Sequence, residues 1–177
     1  MEKTFFISGI GGQGVQVLCK ALAKVVDDCG MNMCLYPWYQ GQRRGGATYG
    51  RLIISDERVG APEKRNYDVV VLLDEASLRD YGDKRKAGGT VIVNSDLISQ
   101  VPFDDVTVLS APFSSTAEAT GNERCFNLVV GGYLAACTQV VPLEKFREEM
   151  LQRTARSEEQ RAVYGNAFDI GASLWKK

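Results

Sequence analysis

The chain has 177 residues, 45% hydrophobic and 24% charged, the proportions of a soluble globular domain rather than of a disordered, fibrous or membrane-embedded chain. With 21 Lys and Arg against 22 Asp and Glu the net charge is -1, so no global field draws it to nucleic acid or an anionic membrane, and any anion site must be local. Histidine is absent, which removes the commonest general base and metal ligand and lowers the expectation that this chain performs chemistry alone.

Cys19, Cys29, Cys34, Cys125 and Cys137 form no C-x-x-C pair, and their odd number prevents a complete set of internal disulfides. That fits a reducing cytoplasm, with the cysteines as small apolar residues in or near a core. No signal-type apolar segment precedes the first glycines, and no run approaches the ~20 apolar residues of a membrane span. The chain is expected to be cytoplasmic, with no membrane or nucleic-acid partner.

Residues 4–8 form a β-type run ending in glycines, and residues 13–28 show helical spacing, with Val15, Leu18, Leu22, Val25 and Val26 on one face. Gly30 is a C-cap candidate, and residues 31–36 predict a second strand that stops before Pro37, completing a βαβ unit. Residues 37–50, "PWYQGQRRGGATYG", follow neither period and predict a loop. Residues 48–55 predict a strand that "SDERVG" turns back into a short return strand, a β-hairpin within an otherwise parallel sheet. The apolar run at 67–73 predicts a strand covered on both faces, 74–81 a short helix, and 90–94 and 106–109 two further strands.

Three helices are predicted at 122–139, 142–153 and 157–175, with capping-box spacing in "TGNE" (Thr120, Glu123) and "SEEQ" (Ser157, Gln160). Pro142 suits a first helical turn. The predicted fold is a three-layer α/β/α domain over residues 1–177, with a mostly parallel mixed sheet, a β-hairpin insertion and a helical C-terminal part.

"GIGGQGV" meets G-x-G-x-x-G at Gly9, Gly11 and Gly14 between a strand and a helix, the setting of a dinucleotide fingerprint. An NAD site also needs an acidic residue about 20 positions on, at the end of the second strand. That strand ends "CLYPWY", and Asp27 and Asp28 fall in the first helix. A Walker loop would need Lys and Ser or Thr where Val15 and Gln16 stand. By themselves the glycines are equally compatible with a phosphate cradle and with tight strand-to-helix packing. Arg43 and Arg44, expected beyond the second strand beside the same mouth, favour a phosphate contact. The alternative is a solvated loop.

"GIGGQGV" followed by "RRGGATYGRLIISDERVGAP" resembles the gamma-subunit family of thiamine-dependent 2-oxoacid:ferredoxin or flavodoxin oxidoreductases. Ser55, Asp56, Glu57, Val59, Gly60 and Pro62 match the family's I-S-D-E turn. "AGGTVIVNSDLI" and "NLVVGGYLAA" resemble two later segments, so the similarity spans nearly the whole chain. Where the family loop reads Y-G-P-E-x-R-G-G, this chain has "YQGQRRGG", and any role of that acid falls to Gln40 or Gln42.

The resemblance implies an accessory subunit of a complex that decarboxylates a 2-oxo acid, with 2-oxoglutarate favoured over pyruvate, branched-chain 2-oxo acids and indolepyruvate, and forms an acyl-CoA. Thiamine diphosphate, magnesium and iron-sulfur clusters are expected in alpha and beta subunits and a ferredoxin-like delta subunit. The isolated chain could form a homodimer. No catalytic or metal-binding residue is assigned to it. Gly11, Gly12, Gln13, Gly14, Arg43, Arg44, Gly45 and Gly46 are the candidates for contact with coenzyme A. Two alternatives stay open: a free-standing Rossmann-type NAD(P) oxidoreductase with Arg43 or Arg44 on the 2'-phosphate, and a purely structural scaffold whose aromatic and arginine-rich loop is an interface.

Overall fold

A computed structural model describes residues 1–41, 45–60 and 63–176. Six strands form one mixed sheet: β1 (Glu2–Ile10), β2 (Asn32–Tyr39), β3 (Ala47–Ser55), β4 (Tyr67–Leu72), β5 (Arg85–Asn94) and β6 (Thr107–Ala111). Their order is β2-β3-β1-β4-β5-β6. The pairs β1–β4, β4–β5 and β5–β6 are parallel, and β3 is antiparallel to both neighbours. The helices are α1 (Val15–Asp28), α2 (Glu75–Tyr81), α3 (Phe113–Ala119), α4 (Phe126–Thr138), α5 (Leu143–Thr154) and α6 (Glu158–Ser173).

The predicted α/β class and mixed sheet hold, but the hairpin lies elsewhere. It is formed by β2 and β3 across the loop that starts at Gln40, not by a return strand after Ser55. All nine residues of β3 pair with β1 on one side, and eight pair with β2 on the other, so no edge is left for a return strand. The first βαβ unit is therefore split: β1 and β2 run in the same direction with β3 inserted between them. Strand β2 also runs through Pro37, which a sheet edge tolerates because the missing N–H can face outward.

Other boundaries moved for local reasons. Strand β5 begins at Arg85, paired with Tyr67, and its register shifts before Thr90 pairs with Val69; within that stretch Gly88 (φ 75°) donates its N–H to the Asp105 carbonyl at 2.7 Å. Asn122 rather than Thr120 caps the start of the helical region, accepting from the Arg124 N–H at 3.0 Å, and a 3-10 turn precedes α4. Ser157 caps α6 as expected, while Gln160 Oε1 accepts from the Arg156 N–H at 2.8 Å.

Helix α3 was not foreseen. Asn94, fully buried at the end of β5, accepts from the Phe113 N–H and donates to Ser114 Oγ, and Asp96 accepts from the Ser115 N–H. The helix start is thus built by side chains about 19 residues upstream.

Alternation along the strands divides the buried residues into two clusters. Phe5, Ile7, Leu52, Ile54, Val69, Val71 and Ile92 join α1, α4, α5 and α6 in the larger one. Phe6, Tyr67, Val70, Leu72, Val91 and Val93 form a smaller one on the other face, where Leu78 and Tyr81 of α2 pack against it. Helices α4 and α6 meet backbone to backbone at Gly132 and Gly171, where a Cβ on Gly132 would lie 2.7 Å from the Ala172 nitrogen.

Candidate functional site

The glycine turn is folded by its own side chains. Gly12 (φ 107°) and Gly14 (φ 75°) take left-handed conformations that other residues avoid, and Gly14 is the N-cap of α1. The Gln13 side chain turns back, its Oε1 accepting from the Ile10 N–H at 2.9 Å. Gly14 sits against Asn127 of α4: a Cβ there would come within 2.6 Å of Nδ2. The start of α1 is therefore fixed to the larger core.

The loop between β2 and β3 closes on this turn. The Gly11 N–H donates to the Gly46 carbonyl at 2.8 Å. Gln16 Nε2 reaches the Trp38 carbonyl at 3.1 Å, and Thr48 Oγ1 and the Tyr49 carbonyl at 2.9 Å each. Between turn and loop lies a cleft of about 550 Å³, lined by Gly11, Gly12, Gly14, Gln16, Tyr39, Gln40, Gly46 and Thr48 among others.

Two N–H groups of the turn are committed, Gly11 to Gly46 and Gln13 to the Ile10 carbonyl. Those of Gly12, Gly14, Val15, Gln16 and Val17 have no acceptor among the described residues. The first turn of α1 also carries no acidic residue. Its positive end and its orphan donors are left for a ligand or solvent, the arrangement that suits an anion.

Of the predicted site residues, Gly11, Gly12, Gly14 and Gly46 come together around this cleft, Gln13 braces it, and Gly45 turns beside it with φ 76°. Arg43 and Arg44 lie outside the described residues. Gln16, Asn127 and Thr48 were missed: Gln16 looked like one more helical residue, and only its contacts across the sheet edge reveal its role. The described lining carries no carboxylate to hold a ribose. Asp74 is a cap, its oxygens accepting from the Ser77 N–H and Oγ at 2.9 Å each.

Cys19 lies fully buried, and burial pushes its thiol up to about 12. Cys137 is likewise pushed up to about 12, chiefly by burial. Among the described residues no three His, Cys, Asp or Glu side chains gather to hold a metal, and no helix is long and apolar enough to cross a membrane.

Fold and cleft together define a helix-flanked mixed sheet with an anion-ready turn at the β1 to α1 connection. The family model described as pyruvate ferredoxin/flavodoxin oxidoreductase matches residues 4–173, and the chain belongs to that family as a gamma-type subunit. It is similar to 2-oxoglutarate synthase subunit KorC of Methanocaldococcus jannaschii, with 31% identity covering 100% of this chain and 96% of that one. The keto/oxoacid ferredoxin oxidoreductase gamma subunit of Geobacter sulfurreducens superposes with a TM-score of 0.85 at 25% identity, covering 98% of this chain and 96% of the other. The same fold appears in the 2-oxoglutarate:ferredoxin oxidoreductase of Magnetococcus marinus, solved with 2-oxoglutarate, coenzyme A and succinyl-CoA bound. There the TM-score is 0.89 at 21% identity, with 98% of this chain covered but only 31% of the longer one.

Proposed function

We propose that this subunit serves a cytoplasmic complex that oxidatively decarboxylates a 2-oxo acid, 2-oxoglutarate first, to an acyl-CoA, and that its own contribution is to present the glycine cleft to coenzyme A. The observation that carries the reading is the set of uncommitted N–H groups at Gly12, Gly14 and the first turn of α1. A coenzyme A phosphate is an anion such donors suit.

In this reading Gly11, Gly45 and Gly46 shape the cleft, Gln13 braces it, and Arg43 and Arg44 add charge-assisted hydrogen bonds. The preference for 2-oxoglutarate follows from the KorC relative, matched end to end. Thiamine diphosphate, magnesium and iron-sulfur clusters belong to the alpha, beta and delta partners, and residues 1–177 act as one domain.

The test is the double variant Arg43→Glu/Arg44→Glu in the reconstituted complex. The KM for coenzyme A should rise about tenfold or more, as expected for losing charged hydrogen bonds. An unchanged KM with assembly intact overturns the reading. A second reading, assembly, is favoured by the Magnetococcus marinus chain, of which the matching part is 31%: contacts internal to that chain would here cross a subunit boundary. Loss of co-purification by a folded double variant assigns the loop to assembly.

A further inference from the structure

On the sheet face away from α1, Phe6, Tyr49, Arg51, Tyr67 and Tyr81 enclose a second cavity of about 120 Å³ that shares no lining residue with the glycine cleft. Its walls are aromatic. Phe6 stacks on Tyr49 at 4.9 Å between ring centroids and packs against Tyr67 at 5.4 Å and Tyr81 at 5.3 Å. Lys64, Lys84 and Glu63 complete the lining, so three cationic side chains face one carboxylate. Glu63 binds the far side of the Arg51 guanidinium, at Nη1, and Lys64 also pairs with Glu2 at 2.9 Å.

By hydrogen-bond geometry neither Arg51 Nε nor the Tyr67 hydroxyl has a partner among the described residues, although the Arg51 guanidinium and the Lys64 N–H approach the phenol oxygen closely enough to favour its ionised form. Tyr67 is only 1% exposed. Arg51 is held in place, its guanidinium carbon 4.3 Å from the Tyr36 ring centroid and 5.6 Å from that of Tyr49. An arginine Nε can only donate, and a phenol O–H donates readily. Burial outweighs the opposing pull of Arg51 and the Lys64 N–H and raises the Tyr67 phenol above its ordinary range, which keeps that proton in place. The phenol oxygen can accept from Arg51, but its own proton has no acceptor among the described residues, and a buried donor without one carries its full desolvation cost, so the site calls for an oxygen acceptor. The volume equals that of about four waters and is below the roughly 150 Å³ of a cavity that takes benzene. An aromatic ligand is too large, and a short aliphatic chain fits.

We propose that this cavity binds a short-chain aliphatic carboxylate, its oxygens accepting from Arg51 Nε and the Tyr67 hydroxyl and its stem lying among the rings of Phe6, Tyr49 and Tyr81. The test is titration of the labelled full-length chain with sodium propionate, followed by the tyrosine ring NMR signals, with sodium chloride and ethylammonium chloride as controls. Propionate should shift Tyr49, Tyr67 and Tyr81 saturably, and the controls should not. Tyr67→Phe keeps the ring packing and should raise Kd about fivefold, the worth of one hydrogen bond. Arg51→Lys keeps the charge, removes Nε and should weaken binding similarly. No saturable response to propionate overturns the proposal, as does an equal response to ethylammonium or an unchanged Kd in Tyr67→Phe. Should either variant fail to fold, the selectivity of the unmodified chain between propionate and ethylammonium still decides.

Discussion

The two faces of the sheet are built to different ends. The α1 face carries a continuous apolar cluster of strands and helices, including the fully buried Phe146 and Phe168, whose rings meet at 6.0 Å. The opposite face, along β2, β3 and β1, carries Tyr36, Trp38, Tyr49 and Arg51, partly exposed and stacked on one another. The first face fixes the position of α1 and so of the glycine turn. The second exposes residue types that suit contact with other molecules. Along β2 and β3 one face is thus sealed by helices while the other is left partly open.

The largest expected effect tests that division directly. Phe146→Ala should lower the unfolding free energy by about 3–5 kcal/mol, whereas Trp38→Ala, at the exposed edge, should cost roughly 1.5 kcal/mol or less. Urea titration of both variants measures the difference, and comparable losses would mean that the open face also carries stability.

Gly14 lies where the larger core meets the cleft. Gly14→Ala forces a Cβ into the left-handed region and against Asn127, and should cost about 1–3 kcal/mol. Adding Asn127→Ala relieves the contact but not the backbone strain, so thermal unfolding of the double variant should recover only part of the loss. Full recovery would show that packing alone requires the glycine.

The smallest effect is electrostatic and lies on the second face. Burial alone would raise the Asp68 carboxyl, but hydrogen bonds from Lys86 and Thr4 outweigh it and hold it below the usual carboxylate range. A depressed folded-state value stabilises above the unfolded pKa of about 3.9, and that stability is lost as pH falls through the folded value. Asp68→Asn should therefore cost roughly 1 kcal/mol at pH 6 and almost nothing at low pH, measured as unfolding free energy against pH.

Much of this design is legible in the residues. The apolar runs of β1 and β4, the helical spacing of α1 and the Ser157 cap follow from local chemistry, and the glycines at 12 and 14 mark the turn because few other residues adopt its dihedrals. The roles of Asn94, Gln16 and Asn127 were not legible. Each acts through partners between 19 and 113 positions away, and nothing in the neighbouring sequence distinguishes such a residue from an ordinary polar one.

By itself the sequence determined the alternation of strands and helices, the glycine turn and the family resemblance, because these depend on short-range periodicity and motif spacing. Only the tertiary structure decided that β3 inserts between β1 and β2, that Gly11 and Gln13 commit their N–H groups within the protein, and that Tyr67 and Arg51 share a cavity. Those outcomes are set by pairing and burial between distant segments, where the free energy depends on which groups meet and not on their order along the chain.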